Sequence, residues 1–133
     1  MILQLRLVGA TLVLLGLGHV ALPRILAWRP EFAALRPLTR QVLYTHTFFI
    51  GVICVLLGLA PLALTADLLA PGRLSTAILG AECAFWGLRW CLQFVAFPPS
   101  TWRGSALHRV GWVGFVALWT WIVAVFGTAL AVH

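Results

Sequence analysis

Four long apolar runs restrict what this 133-residue chain can become. They cover residues 5–23, 38–63, 75–97 and 105–132, each close to the roughly 20 residues that a helix needs to cross a bilayer. Hydrocarbon offers no water to backbone N–H and C=O groups, so a spanning segment must bond within itself or close into a barrel. The runs are continuous rather than alternating, and four strands could not close their edges in lipid. The sequence therefore predicts an all-α, integral membrane four-helix transmembrane bundle, with residues 1–133 as a single transmembrane domain. Composition points the same way. At 62% hydrophobic and 9% charged, the chain has too few polar groups to cover a water-facing surface.

Local chemistry sets the expected boundaries. Pro23 closes the first helix or kinks it near its end. Thr39 is a candidate cap for the second helix and Ser105 for the fourth. Pro71-Gly72 interrupts the chain, Ser75 or Thr76 restarts it, and Pro98-Pro99 ends the third helix. Arg6 precedes the first apolar run, but no small-x-small cleavage site follows, so the run is expected to stay as a helix. Cys54, Cys83 and Cys91 all fall inside apolar runs without a C-x-x-C, and are expected as buried thiols.

The net charge of +6 comes entirely from arginine on the cationic side. Arg24, Arg29, Arg36 and Arg40 lie around the first loop, and Arg103 and Arg109 around the third. Only Arg6 and Arg73 fall on the other side. This bias places both basic loops, 24–40 and 98–109, in the cytoplasm and both termini outside. Trp28 and Trp102 then fall at the cytoplasmic interface, and Trp119 and Trp121 nearer the outer one. No basic, aromatic stretch is long enough for a nucleic-acid surface. The expected surroundings are the lipid bilayer and, through small residues in every helix, a homo-oligomer or a partner in a membrane complex.

Two segments echo each other. "VALPRILAWR" at 20–29 and "VAFPPSTWR" at 95–103 align Pro23 with Pro98 and Trp28-Arg29 with Trp102-Arg103. Arg40 and Arg109 are each followed 18 residues later by a glycine, Gly58 and Gly127. Either two related helical hairpins share one orientation, or a helix stop with an interfacial Trp-Arg anchor has been used twice.

The polar residues inside the runs carry the functional information, because such groups are costly in a span. Glu82, Arg89 and Gln93 are spaced by seven and four, which puts them on one helical stripe with Trp86 and Trp90 beside it. Arg89 is near mid-span, where an arginine costs about 2.5–3.5 kcal/mol on the insertion scale. The stripe reads either as an internal ion pair that fixes packing or as the polar wall of a ligand cavity. His19, His46, His108 and Gln93 lie about 6, 10, 5 and 7 Å from the predicted cytoplasmic edge, on four different helices. Neutral imidazoles converging from several helices are what a heme or transition metal in a bundle requires. Gly16, Gly18, Gly51 and Gly111 would let a flat ring approach the backbone, or mark close helix contacts. Gln93 or Thr45 could support a bare metal from its second shell. His133 is terminal and is set aside. No H-E-x-x-H, carboxylate pair or Gly-rich phosphate loop is present.

"LPRILAWR" at 22–29 is similar to the Leu-Pro-Arg segment of the small four-helix, heme-linked protoporphyrinogen oxidase family. The match covers a few residues at the end of the first helix, and that family's nearby aromatic and histidine pattern is not reproduced. The resemblance implies a heme.

Three functions follow from the sequence. The first is a redox protein whose His19, His46 and His108 hold a heme or metal near the cytoplasmic face. Arg89 would then steady a propionate or a quinone oxygen. The second is a binding or transport protein for a quinone or a small anionic or amphipathic molecule, with Arg89 and Gln93 as contacts. The third is a structural subunit that packs through its Trp-rich fourth helix.

Overall fold

The computed structural model describes residues 1–102 and 104–132, with backbone alone at 101 and 102. Arg103, His133 and the side chain of Trp102 therefore lie outside the described residues. Regular structure among the described residues is entirely helical. It comprises α1 (Ile2–Ile25), α2 (Trp28–Ala33), α3 (Pro37–Ala63), α4 (Thr65–Leu69), α5 (Arg73–Val95) and α6 (Ala106–Ala131), with a 3-10 turn at Pro99–Trp102. Three of these, α1, α3 and α6, are long and apolar enough to cross a membrane. Four were expected. The fourth long helix, α5, has 23 residues, but Arg73, Glu82, Arg89 and Gln93 dilute its apolarity.

The helix ends correct two expectations. Pro23 lies inside α1, which runs on to Ile25 and is extended by a Leu26 N–H bond to Leu22 O at 2.9 Å. A proline this close to the end removes one donor without stopping the last turn. The reversal comes instead at Ala27, whose φ of 49° and ψ of 42° are left-handed. For a residue with a Cβ that conformation costs about 1–2 kcal/mol. Thr39 does not cap α3. Pro37 occupies the first turn, where its fixed φ suits the helix, and Arg36 precedes it without a side-chain cap. Ser105 does cap α6, its Oγ accepting from the His108 N–H at 3.2 Å. Ser75 works in the opposite sense: its hydroxyl donates to Ala70 O at 2.7 Å and to Gly72 O at 2.9 Å, tying down the preceding turn.

The chain forms two compact units, one of Arg6–Thr65 and the other of Met1–Leu5 with Ala66–His133. In the first, α1 and α3 meet backbone to backbone. A Cβ built on Gly16 would lie 2.5 Å from Gly51 O, and one on Gly51 would lie 2.8 Å from Gly16 O. Gly9 and Gly58 repeat this pairing at 2.6 and 2.7 Å. Antiparallel helices with these two contacts pair residues whose numbers sum to 67 (9 + 58 and 16 + 51). Close approach of this kind is how helices associate where lipid supplies no hydrophobic drive. The outward residues, such as Leu14, Leu17, Phe48, Phe49 and Leu56, are large, apolar and exposed, as lipid-facing positions are.

In the second unit α5 and α6 meet through aromatic and polar side chains. The buried residues of α5 are Ser75, Leu79, Glu82, Trp86 and Gln93, on one stripe. Those of α6 are Trp119, Ile122, Val125, Phe126 and Ala129. Trp90 Nε1 donates to Thr120 Oγ1 at 2.9 Å, and Trp121 Nε1 to Gln4 Oε1 at 3.0 Å.

The two kinds of glycine separate by experiment. Gly16→Ala and Gly51→Ala should each lose about 1–3 kcal/mol by overpacking a backbone contact. Gly18→Ala and Gly114→Ala, where a Cβ meets nothing within 4 Å, should be neutral or gain up to about 1 kcal/mol from helix propensity. Thermal unfolding followed by circular dichroism in mild detergent reads both.

Candidate functional site

The polar stripe of α5 is the best-built feature of the chain. Its residues lie four and seven apart, so each turn of the helix returns them to the same face, against α6. Glu82 is 3% exposed, and its Oε2 accepts from Trp86 Nε1 at 2.8 Å. The spacing of four makes this pair local to the helix. Trp86 then stacks on Trp119 of α6, ring centroids 5.5 Å apart and planes 9° off parallel. Phe115, one turn earlier in α6, lies nearly parallel to Trp119 at 6.3 Å.

Arg89 sits on the far side of that stack from Glu82 in sequence. Its guanidinium carbon lies over the Trp119 ring at 4.7 Å and over the Phe97 ring at 5.3 Å. Each ring face attracts the cation, by about 0.5–2 kcal/mol according to its desolvation. Arg89 Nη1 donates to Gln93 Oε1 at 3.2 Å. A guanidinium can only donate, so the amide atom facing it must be the oxygen. The Gln93 NH₂ is thereby turned to a different direction.

That geometry leaves two donors without acceptors. Gln93 is 1% exposed and Trp119 6% exposed. Gln93 Nε2 and Trp119 Nε1 are buried atoms with no hydrogen-bond partner among the described residues. An unsatisfied buried donor costs about 1–3 kcal/mol. Both belong to residues that touch Arg89, so the cluster presents a cation and two orphaned N–H groups from two helices. Every one of these groups donates. The arrangement is chemically complementary to an acceptor that carries negative charge.

The sequence singled out Arg89, Gln93 and Glu82, and the structure brings Arg89 and Gln93 together. Glu82 bonds to Trp86 instead. Arg89 lies six residues from the end of α5, about 9 Å of helix, not at the midpoint. Trp119 and Phe97 were not foreseen as parts of a site. Trp119 was expected in an interfacial belt, but it lies midway along α6, buried in the stack. A tryptophan at the centre of a helix was the available signal.

The histidines are held differently. His19 is half-buried, and its Nδ1 lies 2.7 Å from Leu15 O, four residues back. His46 is exposed, with Nδ1 2.9 Å from Val42 O. His108 is also exposed. His19 packs on Gly51, where an added Cβ would lie 2.9 Å from the His19 Cβ. His46 is five residues before Gly51, about 140° of helical rotation away. Within the α1–α3 hairpin the two imidazoles therefore leave in different directions. Of the two readings of the glycines, Gly16 and Gly51 follow the close helix contact, each facing the other's backbone, while Gly18 is open. Among the described residues no group of three His, Cys, Asp or Glu side chains is gathered to hold a metal ion. The cysteines, all expected as buried thiols, differ among themselves. Cys54 is buried, Cys83 half-buried and Cys91 exposed.

An apolar cleft of about 210 Å³ lies on the α1–α3 hairpin, lined by Gly16, Val20, Phe48, Gly51 and Val55 among others. It offers carbon and no polar group beyond the backbone.

The Glu82–Trp86 pair can be tested directly. Trp86→Phe should cost at least about 1–3 kcal/mol, because it strips a buried carboxyl of its donor. Adding Glu82→Leu should recover part of that loss, giving a non-additive cycle. Unfolding midpoints of the four proteins in one detergent measure this. No protein-family model matches the chain, and neither do curated proteins or solved structures.

Proposed function

We propose that this chain is a small integral membrane protein that binds a small anionic or amphipathic molecule at the Arg89–Gln93–Trp119 cluster. One observation carries the reading: two buried N–H donors, Gln93 Nε2 and Trp119 Nε1, have no acceptor among the described residues and lie beside a cation. A ligand oxygen would satisfy donors that otherwise weaken the fold. Arg89 is the charge anchor, Gln93 and Trp119 orient the acceptor group, and the rings of Trp86, Phe97 and Phe115 flank an apolar body. In this reading α5 is the fourth span, and its cost in lipid is offset by facing α6. The arginine-rich segments at 24–40 and 98–109 face the cytoplasm and both termini lie outside, as the positive-inside bias requires.

A second reading has support of its own. A histidine that donates Nδ1–H to a carbonyl keeps Nε2 as a lone pair, which is how an axial or metal-bound imidazole is oriented. His19 and His46 have their Nδ1 atoms so placed. His19 also neighbours Leu17 and Val20 at the edge of the apolar cleft. A heme or transition metal on His19, with His46 or His108 serving another copy or a second ligand position, follows from this chemistry. It draws no support from a gathered metal cluster.

The first reading predicts that a small acidic or amphipathic molecule copurifies with the protein in mild detergent. Organic extraction and mass spectrometry should recover it near one per chain, and at least about tenfold less from folded Arg89→Gln, which loses a charge-assisted contact. Equal recovery from the two proteins would count against the reading. The second reading predicts a Soret band or stoichiometric metal in the same preparation. A featureless visible spectrum with no metal, from protein purified without chelator, would sink it.

A further inference from the structure

The α1–α3 hairpin carries a surface of its own, apart from the ligand-binding reading above. We infer that this hairpin holds one anionic phospholipid of the surrounding bilayer. An acyl chain lies in the apolar cleft and the headgroup phosphate meets Arg24 and Arg40.

The cleft sets the class of the apolar part. Its volume is about 210 Å³, and Gly16, Leu17, Val20, Phe48, Gly51 and Val55 are among the residues that line it. That is less than the roughly 300–1,000 Å³ of sites that enclose drug-sized ligands. Carbon and backbone lining suits a slender apolar chain and gives a polar body nothing to orient it. Gly16 and Gly51, which bring the helices together, contribute no side chain to fill the space. Leu17, Val20 and Phe48 are exposed, so the cleft opens outward, where a membrane helix meets lipid.

Hydrocarbon alone gives such a cleft no preference among lipids, because their chains are alike. Selection comes from the end of the hairpin. Residues 24–40 hold Arg24, Arg29, Arg36 and Arg40 against a single carboxylate, Glu31. Arg24 lies four residues after Val20 and seven after Leu17, on the same face of α1. Arg40 lies four residues before Tyr44 and eight before Phe48, along one side of α3. Pairing by numbers that sum to 67 puts position 43 opposite Arg24, one turn from Arg40. The two arginines therefore stand on the two helices beyond the same end of the cleft. α3 begins there too, at Pro37, with no side-chain cap from Arg36. The partial positive charge of its N-terminus adds to that of the arginines.

Aromatic side chains mark the depth. Trp28 stacks on Phe32 with centroids 5.0 Å apart, and Phe32 meets Tyr44 edge-on at 5.4 Å. Trp and Tyr favour the membrane–water boundary. From Tyr44, the cleft residues Phe48 to Val55 lie about 6–17 Å along α3 in one direction, and Arg40 about 6 Å in the other. The cleft is thus at the depth of acyl chains and the arginines at that of headgroups. A phosphate there accepts from the forked N–H groups of arginine. An anionic lipid is preferred to a zwitterionic one, whose own cation the arginines repel.

The test uses the full chain in mild detergent, read by native mass spectrometry. The probes are dioleoyl phosphatidylglycerol, dioleoyl phosphatidylcholine and dihexanoyl phosphatidylglycerol. Dioleoyl phosphatidylglycerol should be retained at one per chain, at least about fivefold more tightly than the phosphatidylcholine. Arg24→Gln and Arg40→Gln should each weaken it about fivefold. Arg73→Gln, which removes the same charge from the start of α5, should leave it unchanged. Val20→Phe, which fills the cleft and spares the arginines, should weaken it as much as the loss of one arginine. All four positions are exposed or half-buried, so the variants keep the fold.

An equal loss in Arg73→Gln would reveal attraction to net charge and overturn the inference. Equal retention of the two dioleoyl lipids would overturn the choice of headgroup. Dihexanoyl phosphatidylglycerol held as tightly as the dioleoyl lipid would take the cleft out of the site. A dimer lost in Val20→Phe, with lipid retention unchanged, would make the cleft a contact between copies. Retention lowered by Arg89→Gln, but by neither Arg24→Gln nor Arg40→Gln, would place the lipid at the Arg89 cluster instead. That outcome overturns this inference and leaves the ligand-binding reading standing.

Discussion

Apolar helices in lipid gain little from burying one another, because the surrounding chains are as apolar as their own side chains. Specific packing must come from shape or from polar contacts, and this chain uses one solution in each of its units. Between α1 and α3 the contact is made by absence. Glycines at 9, 16, 51 and 58 let the backbones touch, and any side chain there would collide with a carbonyl. Between α5 and α6 the contact is made by presence, with stacked indoles, hydrogen-bonded tryptophans and a cation set among rings. The first solution is inert and leaves only a carbon-lined cleft. The second brings polar atoms into a buried layer, and the donor cluster is built from them.

The echo between the two basic loops gains a physical reading from this contrast. The segments at 20–29 and 95–103 both end a long helix before a turn, and the compact units broadly follow the division into an α1–α3 and an α5–α6 hairpin. The facing surfaces share little. Gly51 and Gly58 make one interface, whereas the α5 residues that face α6 include Glu82, Trp86 and Gln93. Any common ancestry of the loops did not constrain the chemistry of the contacts. A helix end followed by a turn can recur whatever the helices pack against, and in the first segment it is made by Ala27 rather than by Pro23.

Much of the helical plan was legible because it rests on backbone physics. A run of apolar residues cannot leave its amides unpaired in lipid, so the positions of α1, α3, α5 and α6 could be read to within a few residues. The ends were harder. Pro23 and Thr39 each carry a boundary signal, but Pro37 pre-set the turn before Thr39, and Pro23 came too late in α1 to end it. That mattered for the histidines, whose common depth was measured from those ends. From the true ends of their own helices, His19, His46, His108 and Gln93 lie about 9, 14, 3 and 3 Å inside. The stripe of Glu82, Arg89 and Gln93 survived because it depends on spacing within one helix and needs no ruler. Trp119 offered only its central place in a helix as a signal and Phe97 offered none, since contact between α5 and α6 is decided by packing between segments that sequence periodicity does not align.

The order of groups along α5 explains why one stripe can hold both an acid and a base without joining them. Glu82 and Arg89 are seven residues apart, about 10 Å of rise, and Trp86 stands between. Its N–H edge binds the carboxyl, and its face stacks on Trp119, over which Arg89 lies. One side chain thus holds the acid at its N–H edge and supports the ring beneath the cation. Had Glu82 bonded to Arg89, the pair would have been a closed internal ion pair, useful for packing alone. With the acid held by an indole, the positive end of the stripe lies among the rings of Phe97 and Trp119 and against the Gln93 carbonyl. A buried layer of that composition is poorly matched to hydrocarbon, so the stripe is turned toward α6, where the stack of Trp86 on Trp119 holds it.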